Sequence, residues 1–420
     1  MARTDEAPGY GALWSNRRFR RFFGAEALGD AGYAVYAIVV PWLAYSTGGG
    51  AVAVGAVLAV EFGVYALSFL VGPIIDRVHD LRAVLLVGYP VQAALAALLA
   101  VRFAAGGVGL PDLLALVAAI SLAWDFTWTA SNKIVPVLVD GPLLYRANSL
   151  LGAISGGNQL AGYAAGAGLL LVVGTAGGLA LYAALNGAAA IVALGVHART
   201  APAAPRRFLD GLREGFRYFA SPAGRPLFAL VVAGALEGGV SAAPIVLLPL
   251  VVGASLAGSE GGYAALFSAF AFGSIFGSFV LGVAAPRQRL GRVIGIASAA
   301  EGLLLLGAVV MGGAFGAALP LWFAVGSTDV AVWLVLTVAL QSRVPAALFG
   351  RAFTNAYFFR GSARALGAFG IGIVAIGRAP TVTAAIVAAA FVAVGAVAVA
   401  LGRADDGRRF DPAIAVPTAR

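Results

Sequence analysis

Seven carboxylate side chains lie inside long apolar stretches of this sequence. If these stretches cross a bilayer, a charge at its centre costs at least about 2.5–3.5 kcal/mol, so each acid needs water, a basic partner or a proton. Only Arg360 and Arg364 offer a basic partner from within a stretch. Five acids are therefore left to face water, hold protons or bind a cation. The seven acids are Glu26, Asp30, Glu61, Asp125, Glu237, Glu301 and Asp329.

Two of these acids have a tryptophan about one helical turn further along the chain. Asp125 and Trp128 fall on one face of a helix, and Asp329 and Trp333 do the same. An acid beside an aromatic ring suits a large cation that carries an aromatic or apolar body. The pattern therefore indicates a binding site for such a cation.

Other chemistry has little support in the composition. The chain has no Cys, two His and a single Lys, Lys133, which does not follow a glycine-rich phosphate loop. Thiol chemistry, a histidine-rich metal centre and ATP hydrolysis are therefore not expected. We predict no enzymatic activity, no cofactor and no metal site.

The composition is that of a membrane protein. Hydrophobic residues make up 61% and charged residues 11% of 420, with a mean hydropathy of +0.92, against about 45–50% and 25% in soluble domains. Twelve stretches are long enough to cross a bilayer. We therefore predict an all-α integral membrane protein with twelve transmembrane helices, at about 22–46, 51–75, 83–105, 112–137, 147–173, 177–197, 225–252, 260–284, 291–313, 317–342, 350–377 and 379–402.

Most joints between these spans are short and rich in glycine, and one is long. The long joint, 198–224, ends in a segment whose apolar residues recur at helical spacing, as in a helix at the membrane surface. Landmarks such as Pro41 and Pro249 repeat at an offset of about 209 residues, which indicates two related halves. We predict six-helix bundles at 1–197 and 225–402, a cytoplasmic linker at 198–224 and a cytoplasmic tail at 403–420. Within the seventh span, Ser241 and Pro244 predict a kink or break after Glu237.

The positive charges predict the orientation of the chain. With both termini in the cytoplasm, the cytoplasmic ends and loops collect 24 of the 28 Lys and Arg residues, as the positive-inside rule requires. The net charge of +9 is thus a signal of topology and an attraction to anionic lipid. Binding to nucleic acid is not expected.

The joint after the second predicted span carries a motif. Gly72, Asp76 and Arg77, followed by Arg82, resemble the loop that joins the second and third spans in the major facilitator superfamily. The likeness to a bacterial branch of macrolide exporters, the enterobactin exporter and related secretion permeases rests on residues 16–20, 29–30, 41–43, 148–150, 211–218, 344–345 and 350–351.

This resemblance implies two pseudo-symmetric bundles around a central cavity lined by the first, fourth, seventh and tenth spans. It implies a proton-coupled exporter of a hydrophobic or cationic small molecule, monomeric, in the bacterial inner membrane. The motif residues Gly72, Asp76, Arg77 and Arg82 would form a gating loop. Proton-coupling candidates are Asp30, Asp125, Glu237, Asp329 and Glu61. Candidates for the substrate cavity are Tyr33, Trp124, Trp128, Asn132, Ser241, Trp333, Thr337, Arg360 and Arg364.

Several alternatives remain open at this point. The protein could take up a nutrient or carry it passively, export an anionic metabolite such as a siderophore, or be a membrane scaffold that transports nothing. Arg360 and Arg364 could bind an anionic substrate or pair with Glu61 as structure. We interpret Glu26 as a contact with solvent or lipid headgroups, and Glu301 as equally consistent with a shallow position and with a functional one.

Overall fold

The computed structural model describes residues 10–139, 141–200, 208–222, 224–256, 258–284 and 289–402. The predicted tail at 403–420, and residues 201–207 and 223 of the predicted linker, lie outside the described residues. Apart from an isolated bridge between Asp80 and Arg199, the regular structure in the described part is helical. The helices are α1 Tyr10–Ser15, α2 Arg17–Ala44, α3 Gly50–Ala66, α4 Val71–Ile75, α5 Leu81–Ala104, α6 Leu110–Leu138, α7 Gly141–Ala193, α8 Phe208–Ala220, α9 Arg225–Val240, α10 Ala243–Ser255, α11 Glu260–Ala284, α12 Leu290–Val310, α13 Phe315–Arg343, α14 Ala346–Val374 and α15 Pro380–Gly402.

The helices confirm an all-α membrane protein. Nine helical segments of the described residues are long and apolar enough to cross a membrane. One of them, Arg17–Ile75, contains two of the predicted spans. The predicted spans at 147–173 and 350–377 fall largely in α7 and α14, and each of these helices is at least 29 residues long.

Glycines with positive φ separate several of the spans, as the sequence predicts. Gly48 has φ 86° and Gly50 has φ 53° between the first two spans, and Gly106 has φ 70° after α5. Gly174, with φ 63°, divides α7 into two helical stretches. Residues with a Cβ rarely adopt these backbone angles, so glycine lets the chain reverse direction in a short joint.

Two spans are interrupted within their length. The predicted break after Glu237 is confirmed, because α9 ends at Val240 and α10 begins at Ala243 with Pro244 in its first turn. The predicted span at 51–75 lies within a segment of membrane-spanning length, but a turn interrupts its α-helix. There α3 ends at Ala66, and a turn of 3-10 helix, Ser68–Leu70, precedes the short helix α4.

The surface helix predicted in the long joint is present as α8. It packs against α14, with the rings of Phe216 and Phe359 5.6 Å apart in an edge-to-face arrangement. Glu214 of α8 forms a salt bridge with Arg351 of α14. These contacts attach the amphipathic helix α8 to α14.

The chain divides into two compact units. The first unit comprises Met1–Val39 and Leu70–Pro205, and the second comprises Val40–Phe69 and Arg206–Arg420. The apolar core of the first is built from α2, α5, α6 and α7, with Phe19, Leu85 and Ile134 fully buried. The second has a core of α9, α12, α13 and α14, around Leu230, Ile294 and Leu336.

Glycines let α11 and α13 of the second unit pack backbone against backbone. A Cβ on Gly326 of α13 would lie 1.7 Å from the carbonyl oxygen of Phe270, whereas a Cβ on Gly316 of the same helix meets no atom within 4 Å. We expect Gly326→Ala to lower the free energy of unfolding by about 1–3 kcal/mol through overpacking. Gly316→Ala should be neutral or stabilise by up to about 1 kcal/mol, because alanine favours helix.

Thermal unfolding of both variants in detergent micelles checks this prediction. The two substitutions are chemically identical and lie in one helix, so the difference between them isolates the contact with α11. Equal melting temperatures for the two variants would contradict the backbone contact.

Candidate functional sites

The first unit contains a small pocket between α2, α5, α6 and α7, which we call the acid–tryptophan pocket. Its space corresponds to about one water molecule. Two carboxylates and two indole rings face it together, and none of the described residues that line it is basic. The lining residues are Glu26, Gly29, Asp30, Tyr89, Gln92, Trp124, Thr127, Trp128, Ser131 and Asn186.

Glu26 is held inside this pocket by two hydroxyl groups. Its Oε1 accepts hydrogen bonds from the Tyr89 hydroxyl, at 2.7 Å, and from Ser131 Oγ, at 2.6 Å. The interpretation of Glu26 as a contact with solvent or headgroups is therefore wrong, because packing brings donors from α5 and α6 to it. Gly29 permits this approach, since a Cβ there would lie 2.9 Å from the Tyr89 ring.

A chain of polar side chains continues the pocket between α5, α6 and α7. The Gln92 amide donates to Thr127 Oγ1 at 3.3 Å and accepts from the Tyr182 hydroxyl at 2.9 Å. Asn186 donates to the Tyr182 carbonyl oxygen at 3.0 Å. Each of these polar groups thus has a hydrogen-bond partner in an apolar surrounding. These hydrogen bonds fix the side chains of Gln92, Thr127 and Asn186, which line the pocket.

Three aromatic rings form a stack at the pocket. The rings of Trp124 and Trp128 are 5.9 Å apart and inclined by only 13°, and Tyr33 stacks on Trp124 at 5.3 Å. Trp128 is 44% exposed, so one end of the stack is open to a ligand. Open indole faces beside carboxylates attract cations through the ring quadrupole.

Asp125 and Asn132 lie on a different part of α6. Asp125 is only 1% exposed and is not among the residues lining the pocket, and its Oδ2 has no hydrogen-bond partner among the residues that the structure describes. Asn132 is exposed and donates to the carbonyl oxygen of Trp128 at 2.9 Å. Glu26 therefore contacts a different face of α6 from the one that carries Asp125 and Asn132. Trp128 borders both faces.

The residues proposed as a gating loop are held by the single lysine of the chain. Lys133 of α6 forms a salt bridge with Asp76 and donates to the carbonyl oxygen of Gly72 at 3.0 Å. The side chain of Asp80 caps the next helix by accepting from the backbone N–H of Arg82 at 3.1 Å. Arg77 is exposed. The motif is thus anchored to α6 through Asp76.

The second unit brings together three acids and two bases, which we call the arginine–carboxyl cluster: Glu237, Glu301, Asp329, Arg360 and Arg364. Carboxylate oxygens of the three acids all lie within 4.8 Å of one another. Arg360 donates to Glu237 Oε2 at 2.9 Å in a salt bridge that is almost fully buried. The strongest favourable charge interaction of Asp329 is with Arg364.

Glu301 is the one acid of this cluster that was not among the proton-coupling candidates from the sequence. It is fully buried on α12, and neither of its oxygens has a donor partner in the described structure. This burial separates the Glu301 side chain from the surface of the protein.

Trp333 of the second unit already has a cation on its face. The Arg360 guanidinium lies 5.3 Å from the centre of the Trp333 ring. Phe353 and Tyr357 pack on the same indole, at 5.8 and 5.7 Å. Asp329 and Trp333 of α13 therefore interact with Arg360 of the same chain. The tryptophan stack of the first unit differs, because one of its rings is exposed.

The remaining predicted residues of the second unit lie around this cluster on several helices. Buried Glu61 accepts from the Tyr65 hydroxyl at 3.2 Å, and Arg364 lies 4.3 Å above the centre of the Phe62 ring. Ser241 donates to the carbonyl oxygen of Gly238 at 3.1 Å in the break between α9 and α10. The hydroxyl of Thr337 on α13 is buried, and no described residue forms a hydrogen bond with it.

The sequence contains a signal for Tyr89 and Gln92, two polar residues of the pocket that were not among the predicted site residues. Tyr89 and Gln92 stand three positions apart in an otherwise apolar span. A buried amide or phenol needs a partner in such a place, so these two residues alone predict polar groups on a neighbouring helix. No comparable signal predicts which neighbour provides them.

The described helices of membrane-spanning length, with charged side chains buried among them, define an integral membrane protein. The chain belongs to the family described as transmembrane secretion effector, within the major facilitator superfamily, and its residues 10–408 match that family. No curated protein shows significant similarity to the chain.

Solved transporter structures share the fold at low sequence identity. The nucleoside transporter NupG superposes with a TM-score of 0.70 and 14% identity over 92% of this chain and 97% of that one. The peptide transporter POT in complex with sulfate gives 0.71 and 15%, over 93% and 95% of the two chains. A POT family transporter in complex with 5-aminolevulinic acid gives 0.69 and 14%, over 94% and 96%. At this level of identity the likeness concerns the fold.

Proposed function

We propose that the protein is a proton-coupled exporter of hydrophobic organic cations, working by alternating access. The observation that carries the proposal is the acid–tryptophan pocket, where Glu26 and Asp30 face Trp124 and Trp128 without a lining base. The pocket itself has room for about one water molecule, so a cation with a flat aromatic body would stay outside it. Its ring would stack on the exposed Trp128, and only its charged group would point towards the carboxylates.

The arginines of the second unit weigh against an anionic substrate. Arg360 is 12% exposed and already pairs with Glu237. Arg364 lies above Phe62 and acts on Asp329. An anion would have to replace carboxylates that are part of the chain, at the cost of leaving those carboxylates buried and unpaired.

We propose export as the direction of transport and a bacterial inner membrane as the location of the protein. The family description and the resemblance to secretion permeases support export. The distribution of Lys and Arg supports cytoplasmic termini in a bacterial inner membrane. We propose that one chain suffices, because both sites are built within single units, and that Gly72, Asp76, Arg77 and Arg82 act in gating.

Purified protein in liposomes with an acidic lumen and an internal pH dye tests the proposal. Ethidium, a flat aromatic cation, is added outside, and we expect it to enter as protons leave, so that the lumenal pH rises. Protein-free liposomes report the passive leak, and a flat aromatic sulfonate and a neutral sugar serve as comparison compounds. A response to the sulfonate alone would favour an anion exporter, and sugar flux independent of pH would favour a passive carrier.

A further inference from the structure

The charges of the arginine–carboxyl cluster do not balance. Three ionised acids and two arginines leave one negative charge within the cluster, whose members lie on α9, α12, α13 and α14. Buried Glu61 of the same unit is outside this count and accepts a hydrogen bond from the Tyr65 hydroxyl. A net charge at bilayer depth is expensive. Binding one proton makes the cluster neutral.

The positions of the atoms indicate where that proton belongs. Glu237 is satisfied in part by Arg360, through the salt bridge at 2.9 Å. Carboxylate oxygens of Glu301 and Asp329 lie within 4.8 Å of each other, and we infer that the two side chains form a hydrogen bond once one of them carries a proton. An ionised carboxylate only accepts hydrogen bonds, so this bond requires a proton between the two groups. If Glu301 and Asp329 were both ionised, neither oxygen of the fully buried Glu301 would have a hydrogen-bond donor among the described residues.

The described residues around Glu301 include no hydrogen-bond donor to its carboxylate oxygens. Helix α12 packs against α15, α13, α9 and α10, and neither α15 nor α10 contains an ionisable residue. The charged groups that face Glu301 are Asp329 and Glu237, with Arg360 and Arg364 of α14 beyond them. Two guanidinium groups already balance two of the three acids, so a proton fits this cluster better than a divalent cation.

We infer that Glu301 and Asp329 form a carboxyl pair that shares one exchangeable proton, and that this pair is the proton-binding site of the transporter. The inference rests on the proposed function for the role of the proton in transport. It separates the two tasks by unit, because the organic cation binds at the acid–tryptophan pocket and the carboxyl pair takes the proton.

Infrared absorption of the purified protein tests the pair without any substrate. Wild type at neutral pH should show a protonated carboxyl band that is lost in Glu301→Gln and also in Asp329→Asn, since either change removes the shared proton. Glu214→Gln, an acid on α8 that is salt-bridged to Arg351, should keep the band. The same band in both cluster variants would overturn the inference. If Glu301→Gln fails to fold, Asp329→Asn alone decides the result.

Transport in liposomes tests the role of the pair. In Glu301→Gln we expect ethidium exchange down its own gradient within about twofold of wild type, whereas proton movement evoked by ethidium falls about tenfold or more. Full proton-driven accumulation in this variant would overturn the inference. Wild-type protein that moves neither ethidium nor protons would contradict the proposed function instead, and the infrared result would still decide whether the pair holds a proton.

Discussion

Arg360→Met is expected to destabilise the protein by about 3–5 kcal/mol, the usual cost of removing one partner from a buried ion pair. Glu237 is fully buried and forms its salt bridge with Arg360. Methionine keeps much of the side-chain volume but leaves that carboxylate without this counter-charge. The loss of stability in Arg360→Met should become smaller as the pH falls, because protonation of Glu237 removes the buried charge.

The same helix offers a matched control for this substitution. Arg351→Met breaks the salt bridge with Glu214, whose two side chains are 33% and 43% exposed, and an exposed pair contributes only about 0–1 kcal/mol. The double variant Glu237→Gln with Arg360→Met should recover much of the stability lost in Arg360→Met, because neither charge remains.

Thermal unfolding in detergent, followed by tryptophan fluorescence at two pH values, measures these variants together with wild type. Equal losses of stability in Arg351→Met and Arg360→Met would contradict a larger contribution from the buried salt bridge between Glu237 and Arg360. A double variant no more stable than Arg360→Met would show that the loss comes from packing on Trp333 rather than from charge.

The second large effect concerns binding in the first unit. Replacing Glu26 with glutamine and Asp30 with asparagine together should weaken ethidium binding by about tenfold or more, which corresponds to at least about 1.4 kcal/mol. The physical reason is that both carboxylates line the pocket with Trp124 and Trp128, and the substitutions remove their charge with little change of shape.

Asp125→Asn provides the comparison for this prediction. Asp125 is adjacent to Trp124 in the chain but does not line the pocket, so we expect its substitution to change ethidium affinity by less than about threefold, under about 0.7 kcal/mol. Titration of ethidium fluorescence with purified protein measures both changes. If Asp125→Asn weakens binding as much as the double substitution, the cation site lies on the other face of α6.

Much of the fold could be predicted from the sequence because it depends on local properties. Apolar length determines which segments can cross a bilayer, and positive φ requires glycine where the chain turns, as at Gly48 and Gly174. Ser241 and Pro244 likewise mark the end of α9 in the sequence. The break between α3 and α4 has no comparable sequence pattern, and it was missed.

The sites depend on packing to a much greater extent. Helices that are apolar on nearly every side carry little periodic signal for their rotation. The sequence pattern assigned Asp125 and Trp128 to the binding face of α6, whereas Ser131 lies on the face that contacts Glu26. The close contacts of glycine set that rotation. A Cβ on Gly238 would come within 2.9 Å of Arg360, and one on Gly29 within the same distance of Tyr89.

The sequence by itself determined that the chain is a helical membrane protein, where most of its turns lie, and that its buried acids outnumber their bases. Only the tertiary structure decided which acid meets which partner: Glu26 meets Tyr89 and Ser131, Glu237 meets Arg360, and Glu301 meets Asp329. The reason is that hydropathy and backbone preference act along the chain, whereas a buried charge is satisfied across it, by whichever helix packing brings within a few ångströms.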